Sequence, residues 1–414
     1  MSEDKSEGQC PVADWATDYD LFDPEYVRDP VPFWKDLREQ CPIAHTTRWG
    51  GSWMPTKYED IQAMVKMVPA LSSRSPTVIP PDPALREELI AEIKAYGTEN
   101  PPITADPPEN IAYRRLILPF FTPEAVDEYR PYTEELCNEL IDRVIDKGFC
   151  DAAENYAQQI PPRVIARMLG IDAGRAEEFT EWTRGVLELG QTHPELRMES
   201  RRKIREFFGE LVPGRRANPG NDLVSKLVNA EIEGKPVSDH TAIGMCNLLL
   251  VAGIDTTWSS IGSAMWHLSS HSEDRRRLAK EPVLWPTAIE ELLRFYSPVM
   301  MARRVTEEVE VGEAHFRPGD KVLLNFPAAN HDPEVFDRPD EVVLDRQRNR
   351  HIAFGIGMHR CAGSNLARME MEVALKTWFA RIPEFELTDP ETVTWAGGQV
   401  RGPRRVPVKF PVAA

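Results

Sequence analysis

The feature that most constrains the fold is the long apolar segment 238–270, which reads SDHTAIGMCNLLLVAGIDTTWSSIGSAMWHLSS. Apolar residues recur in it at three- and four-residue spacing, and Ser238 or Asp239 can cap the N-terminus of a helix. About thirty residues at roughly 1.5 Å each make a rod of ~45–50 Å, which is long enough to cross a domain. Because its middle is apolar nearly all round, the segment predicts a buried helix at the centre of a large core.

Polar residues nevertheless occupy the middle of this segment, at Gly253, Asp255, Thr256 and Thr257. A carboxylate inside a buried helix is costly unless it has a partner, and glycine and threonine weaken the backbone ladder locally. One interpretation is a glycine required by packing beside a capped polar pair. The other is a distorted turn that opens onto a cavity where polar hydrogens are used. The pattern itself leaves both open.

The rest of the sequence predicts a mainly α fold with small β-sheets. Segment 109–282 is almost wholly helical in pattern, whereas VEVGEAHFRPGDKVLLNF alternates like a β-hairpin. The proline-rich connection 76–108 contains one helical piece, ALREELIAEIKAY. No linker or repeat divides the sequence, so we predict a single domain over 15–414 after a flexible N-terminus over 1–14.

Composition narrows the class of protein. Lys plus Arg number 49 against 66 Asp plus Glu, a net charge of −17 that argues against nucleic acid as the main partner. The N-terminus is polar and acidic, which predicts neither a signal peptide nor a membrane anchor. The six cysteines are scattered without a CxxC pair, so we expect no disulfide framework and no zinc site. A reducing cytoplasm is the simplest location.

The stretch FGIGMHRCAG at 354–363 places Cys361 at the end of a glycine-punctuated turn. A cysteine of this kind is by itself more often a small buried hydrophobe than a reactive group. Together with AGIDTT at 252–257 and EELLR at 290–294, however, the stretch resembles the cytochrome P450 haem-thiolate monooxygenases. The three segments match that family's cysteine loop, long-helix motif and Glu-x-x-Arg pair, in its order and spacing. The resemblance begins near Trp15, runs to the C-terminus and is to soluble bacterial members.

The resemblance implies a single-domain P450 fold with the long helix over a haem b (iron protoporphyrin IX), and Cys361 as the thiolate ligand of its iron. A thiolate ligand favours O–O cleavage, and glycines let backbone N–H groups approach the sulfur. Many bacterial members carry histidine where this chain has Asn110. The residues that the resemblance places around the cofactor, by loop motif or as propionate partners, are Phe354, Gly357, His359, Gly363, Asn110, Arg114 and Arg303.

The resemblance also assigns catalytic roles on the long helix. Thr256 is expected to hold a water beside bound dioxygen, and Asp255 to relay protons from solvent. Glu291 and Arg294 are expected to be structural and to close a network with Arg346.

The substrate pocket is carried over by position only, and ordinary core packing fits its residues equally well. These residues are Leu248, Val251, Ala252, Val299, Met300, Met301, Gln399 and Val400. The implied substrate is an apolar small molecule, whether terpenoid, steroid, fatty acyl or aromatic. The loop 76–108 and the segment 178–215 are expected to form an access lid over it.

Electrons must come from another protein, because the sequence has no flavin domain and no cysteine set for an iron–sulfur cluster. The resemblance implies a monomer served by a ferredoxin-type redox partner with its reductase, docking near Arg114, Arg115 and Arg360. Solvated surface charge explains the last two arginines equally well. The alternatives are a peroxide-driven haem-thiolate peroxygenase and a non-catalytic haem-binding sensor, and the Asp255–Thr256 pair counts against both.

Overall fold

The structure, a computed structural model, describes residues 12–96 and 100–412. It is mainly helical with small sheets, as the sequence predicts. The α-helices are α1 Trp15–Asp18, α2 Pro24–Arg28, α3 Val31–Gln40, α4 Tyr58–Met64, α5 Arg86–Tyr96, α6 Glu109–Ile117, α7 Pro123–Asp127, α8 Arg130–Asp142, α9 Ile160–Met168, α10 Ala176–Leu187, α11 Pro194–Ala217, α12 Leu223–Val228, α13 Asp239–Ser270, α14 Ser272–Lys280, α15 Trp285–Phe295, α16 Phe326–Ala329 and α17 Ser364–Arg381. The strands are β1 Ile43–Thr46, β2 Ser52–Pro55, β3 Leu71–Ser72, β4 Phe149–Asp151, β5 Glu231–Ile232, β6 Lys235–Pro236, β7 Met301–Val305, β8 Val309–Val311, β9 Ala314–Phe316, β10 Lys321–Leu324, β11 Glu386–Leu387, β12 Thr394–Ala396, β13 Gly402–Arg405 and β14 Pro407–Lys409.

The predicted flexible N-terminus over 1–14 lies mostly outside the described residues, as does Cys10. From residue 12 the chain is described, and the Asp14 side chain caps α1 by accepting from the Ala16 N–H at 2.9 Å. The single domain over 15–414 stays a prediction.

The long helix α13 is confirmed. The Ser238 side chain caps it by accepting from the Thr241 N–H at 3.1 Å, and α9, α10, α11 and α17 pack around it. Its most apolar window could span a membrane by length and composition, yet 61 % of that window is buried inside the protein, as in a core helix. The backbone remains helical past Gly253, where an added Cβ would lie 2.5 Å from Ile165 Cδ1. Close packing of α9 on α13 therefore requires this glycine, and no distorted turn is formed.

A five-stranded sheet in the order β1-β2-β10-β7-β3 carries the segment that follows α15. Within it, β7 pairs antiparallel with β10 and β3, which fixes the side-chain directions from Met301 to Val305. The predicted hairpin is confirmed for β8 and β9, with Gly312 at φ +58° in the turn. Strand β10 leaves that hairpin and joins the larger sheet instead. A smaller sheet, in the order β11-β14-β4, ties the C-terminal segment to the helical region.

A buried acid without a partner lies on α17. Glu370 is fully buried, and neither of its carboxylate oxygens has a hydrogen-bond partner among the described residues. Burial raises the pKa of Glu370 well above its ordinary value. The folded state therefore holds a proton that the unfolded state releases once the pH exceeds the ordinary carboxyl pKa, so this residue destabilises the fold increasingly as pH rises through that range.

We expect Glu370→Leu to increase the free energy of unfolding at neutral pH by about 1–3 kcal/mol, the cost of an unsatisfied buried polar group. Urea unfolding at neutral pH and near pH 4.5, the ordinary value for this carboxyl, should show that the gain shrinks in acid. On the same helix, Glu372 pairs with Lys376 and Arg130, so Glu372→Leu is the control that should bring no gain. Equal or lower stability of Glu370→Leu at neutral pH would contradict the expectation.

Candidate functional site

The cysteine loop is closed by its own backbone. The Cys361 N–H donates to the Phe354 carbonyl oxygen at 2.8 Å, and a short 3₁₀ turn over Gly357–His359 lies between them. Gly357 has φ +72°, a left-handed conformation that favours glycine. Helix α17 begins at Ser364, just beyond the cysteine. The positive end of a helix dipole near a thiol favours the thiolate.

Cys361 has an environment unlike that of the other described cysteines. Burial raises the pKa of its thiol, whereas the Gly363 N–H hydrogen bond and the Arg114 charge lower it. The Cys361 side chain has accessible surface although protein atoms surround its sulfur. It therefore lines a cavity inside the protein. By contrast, Cys137 and Cys246 are buried in the core, where burial raises their thiol pKa values. Among the described cysteines, Cys41 is half-buried and Cys361 is the exposed one, so the Cys361 thiol is accessible to a ligand.

One face of α13 borders an interior space. Leu248, Ala252 and Thr256 share that face at four-residue spacing, and Ala252 is exposed although Ile254 and Asp255 are fully buried. The Thr256 Oγ1–H donates to the Ala252 carbonyl oxygen at 2.8 Å, so the hydroxyl lies along this accessible face. Helix α17, which follows the cysteine loop, packs against α13, so the loop lies next to this long helix. Thr256 thus lies on the accessible face of α13, and its catalytic role stays a prediction.

Asp255 points elsewhere. Its Oδ1 lies 2.8 Å from Arg404 Nη2 and 3.4 Å from Ser259 Oγ, whereas Oδ2 has no partner among the described residues. Burial raises the pKa of Asp255, and Arg404 opposes the shift. Arg404 also donates through Nε to Glu188 Oε2 at 2.9 Å. The structure thus does not bring the Asp255 carboxylate beside the Thr256 hydroxyl, because successive helical residues point in different directions.

Arg303 is a buried cation near the cysteine loop. It is only 6 % exposed, its Nη1 donates to the Ala302 carbonyl oxygen at 2.8 Å, and no carboxylate of the described residues lies within ion-pair distance. Burial lowers its pKa to about 10, against the attraction of Asp106. Burial and then Arg303 lower the pKa of His359 to about 4, with a smaller contribution from Arg114 in the same direction. Arg303, Arg114 and His359 therefore lie close together, and Asp106 is the acid that acts on both Arg303 and His359. The positive charge of the two arginines exceeds the negative charge beside them.

Asn110 contacts the imidazole ring of His359. It is fully buried, and its Nδ2 donates to the Pro102 carbonyl oxygen at 2.9 Å and lies 3.3 Å from His359 Nδ1. On the other side of the ring, Ser73 Oγ lies 3.0 Å from His359 Nε2. Asn110 therefore orients the imidazole through Nδ2, whereas its Oδ1 has no partner among the described residues, and its contact with a cofactor stays a prediction.

The predicted pocket residues are divided by the strand geometry. Val299 and Met301 are half-buried and precede Arg303 at two-residue spacing, so the three share one face. Met300 points to the opposite face and packs in the hydrophobic cluster that contains Trp34.

Gln399 connects the C-terminal segment to the proline-rich connection through two hydrogen bonds. Its Nε2 donates to the Pro76 carbonyl oxygen at 2.9 Å, and its Oε1 accepts from the Val78 N–H at 3.3 Å. Val400 is buried and bridges to Val299, whereas Val251 is half-buried beside the accessible face of α13.

Sequence reasoning missed the partners that hold these side chains. Arg404 lies 149 residues from Asp255, and Ser73 lies 286 residues from His359. Asp106 also binds the Ser72 hydroxyl at 2.5 Å and the Ser73 N–H at 2.8 Å, which fixes the serines beside the histidine. The run GPRR at 402–405 was a visible basic signal, but nothing local indicated its target.

The donor set fits a haem b. The Cys361 thiol lines the cavity with a backbone N–H directed at its sulfur, as an iron thiolate requires. Arg303 and Arg114, which donates through Nη2 to the Arg360 carbonyl oxygen at 2.8 Å, lack carboxylate partners among the described residues. The buried Arg303 and the half-buried Arg114 suit the two propionates.

Known proteins resemble this chain over nearly its whole length. A family model for cytochrome P450 matches residues 189–394. Mycinamicin IV hydroxylase/epoxidase of Micromonospora griseorubida is 32 % identical over 381 residues, which cover 90 % of this chain and 94 % of that protein. The polyketide biosynthesis cytochrome P450 PksS of Bacillus subtilis is 30 % identical, over 93 % of this chain and 97 % of that protein.

The structural likeness is equally extensive. A solved structure of the Bacillus subtilis bacillaene polyketide synthase cytochrome P450 PksS superposes with a TM-score of 0.85 at 29 % identity, covering 95 % of this chain and 99 % of that one. Sequence, fold and the Cys361 site agree, and the chain belongs to the cytochrome P450 family, as a haem b-dependent monooxygenase.

Proposed function

We propose that this monooxygenase hydroxylates an apolar small molecule, of the terpenoid, steroid, fatty acyl or aromatic kind, with electrons from a ferredoxin-type partner and its reductase. The observation that carries the proposal is the exposed Ala252 beside the Thr256 hydroxyl, in the middle of a helix that is mostly buried. When bound, the haem supplies oxygen activation and C–H oxidation. The predicted pocket residues Leu248, Val251, Val299 and Met301 are apolar and half-buried, and such side chains can position an apolar substrate.

We propose that the redox partner docks on the surface beside the cysteine loop. Arg115 and Arg360 are exposed there, and Arg114 is half-buried between them and Cys361. A local cluster of guanidinium groups on a chain of net charge −17 attracts an acidic protein to one place. We further propose that the protein acts as a cytoplasmic monomer.

In this proposal, the Thr256 hydroxyl positions the water through which protons are delivered. Its hydroxyl donates to the Ala252 carbonyl oxygen and can accept from a water on the open side of α13. Asp255 acts at a distance, because its Oδ1 is engaged by Arg404, which in turn contacts Glu188 at the edge of α10. Through Oδ2, which has no partner among the described residues, the Asp255 carboxylate would pass protons from solvent toward Thr256, while the Arg404 guanidinium orients that carboxylate.

Thr256→Ala is expected to uncouple the reaction. Consumption of reduced nicotinamide by the reconstituted system should stay within about twofold, whereas product should fall roughly 10²-fold, the usual contribution of positioned proton transfer. Hydrogen peroxide and product are measured together against the nicotinamide consumed. Thr256→Ser keeps the hydroxyl and should restore most of the coupling. Unchanged coupling in Thr256→Ala would remove Thr256 from the mechanism.

The proposed function is tested by supplying oxidant in two ways. The purified holoenzyme receives either a ferredoxin, its reductase and reduced nicotinamide under air, or hydrogen peroxide alone. A panel of apolar compounds is screened first for the change in haem spin state that follows substrate binding. Product formed only with the electron-transfer proteins supports the proposal. Equal or better turnover with peroxide alone would instead make the protein a peroxygenase.

A further inference from the structure

Three arginines on α11 face one carboxylate on α5. Arg197, Arg201 and Arg205 follow at four-residue spacing, so they share a face of the helix. Glu92, a buried residue of α5, packs on that face. Arg205 Nη1 lies 2.7 Å from Glu92 Oε1, and Arg201 Nε lies 3.4 Å from the same oxygen. One carboxylate oxygen is thus shared by two guanidinium groups.

Arg197 is left without a carboxylate of its own. No acid of the described residues lies within ion-pair distance of it, and its buried Nε has no hydrogen-bond partner among them. Burial and then Arg201 lower the pKa of Arg197 to about 10, with Glu92 opposing. An uncompensated buried cation costs folding free energy, and binding of an anion would offset that cost.

The remaining acids of α11 do not balance these charges. Glu195 and Glu210 are exposed, Glu199 lies 3.0 Å from Lys203 Nζ, and Glu206 lies 3.0 Å from Arg202 Nη1. These exposed pairs compensate one another on the outer side of the helix. The inner face therefore carries three positive charges against the single negative charge of Glu92.

The cluster lies in the region that is expected to cover the substrate space. Helices α5 and α11 belong to the segments 76–108 and 178–215, which are expected to form the access lid. Beyond α5, the Asn100 side chain contacts Asn247 of α13, the residue next to Leu248 on the accessible face. Arg197 itself packs at the junction of α10 and α11, where a Cβ on Gly190 would lie 2.6 Å from the Arg197 Cβ.

We propose that the substrate carries a carboxylate and that Arg197 and Arg201 bind it where α5 meets α11. The proposal rests on the monooxygenase function described above and narrows its substrate class to an apolar acid. A guanidinium group binds a carboxylate through two parallel hydrogen bonds, which orients the ligand as well as attracting it. The apolar body then extends toward Leu248 and Ala252, so the acid group sets which carbon comes nearest the reacting centre.

The test compares apolar acids with their methyl esters by titration calorimetry on the holoenzyme. The probes are fatty, aromatic and steroid acids, each paired with its ester so that shape is kept and charge is lost. At least one acid should bind roughly 10- to 100-fold more tightly than its ester, as expected for charge-assisted hydrogen bonds. Arg197→Gln combined with Arg201→Gln should remove that preference, and Arg202→Gln, which changes an exposed pair on the same helix, should keep it.

Three outcomes would overturn the proposal: equal affinity in every pair, no binding of any acid, or a preference that survives in the double variant. Thermal unfolding of each variant verifies the fold, and loss of the buried Arg197 charge should not lower its midpoint. Calorimetry detects binding whether or not turnover occurs. Failure here therefore leaves the hydroxylase proposal standing, whereas failure of that proposal appears only in the turnover experiments.

Discussion

Cys361→Ser is expected to abolish both the thiolate spectrum of the haem protein and its monooxygenase activity. The loop directs the Gly363 N–H at the sulfur and keeps the Arg114 charge nearby, and these groups favour a thiolate. A serine hydroxyl is a far weaker acid than a thiol, so the same surroundings cannot supply an equivalent anionic ligand. The measurement is the absorption spectrum of the reduced, carbon monoxide-bound protein, recorded with the haem content.

The matched control is Cys246→Ser on α13. Cys246 is fully buried, and burial raises its thiol pKa, so it has no access to a ligand. This variant should lose some stability but keep the thiolate spectrum and activity. A thiolate band that persists in Cys361→Ser, or one that disappears in Cys246→Ser at normal haem content, would show that the ligand is assigned to the wrong residue.

The features predicted correctly from sequence are those set by short spacing. The N-cap of α13, the hairpin turn at Gly312 and the closed cysteine loop each depend on residues within a few positions of one another. The network of Glu291, Arg294 and Arg346 was also predicted, although Arg346 lies 55 residues from Glu291, because the resemblance supplied that partner. Residue type and local spacing are enough for such elements.

Side-chain direction could not be predicted, because it depends on partners that are distant in sequence. Asp255 turns to Arg404 on β13, and the Nδ2 of Asn110 lies 3.3 Å from His359 Nδ1. Met300 faces the N-terminal core because the register of the adjoining strand assigns alternate residues to opposite faces. Ile356, an apolar residue of the cysteine loop, packs against the core cluster beneath the five-stranded sheet. Its role in the described structure is therefore packing.

Glu291→Gln is expected to cause the largest loss of stability. Glu291 is fully buried and accepts from Arg294 Nη2, Arg346 Nε and the Val343 N–H, each at 2.8 Å. Burial alone would raise its pKa, but the hydrogen bonds from the two arginines hold it below the ordinary value. Without the carboxylate, two guanidinium groups stay buried and unbalanced. Breaking a buried pair in this way costs about 3–5 kcal/mol, to be measured by urea unfolding and by the rate of haem loss.

The control Glu206→Gln removes an exposed pair with Arg202 and should cost no more than about 1 kcal/mol. Two kinds of contact can stabilise the segment after β10: the ion pair between Glu291 and Arg294, and hydrogen bonds from Arg294 to backbone carbonyl oxygens. Comparing the two variants separates their contributions. Arg294 also donates to the carbonyl oxygens of Asn330, Pro339 and Glu341, and these bonds survive when Glu291 loses its charge. Carbonyl oxygens accept hydrogen bonds without neutralising a cation, so we expect them to be insufficient. Equal costs for the two variants would instead mean that the carbonyl contacts, and not the ion pair, stabilise this part of the fold.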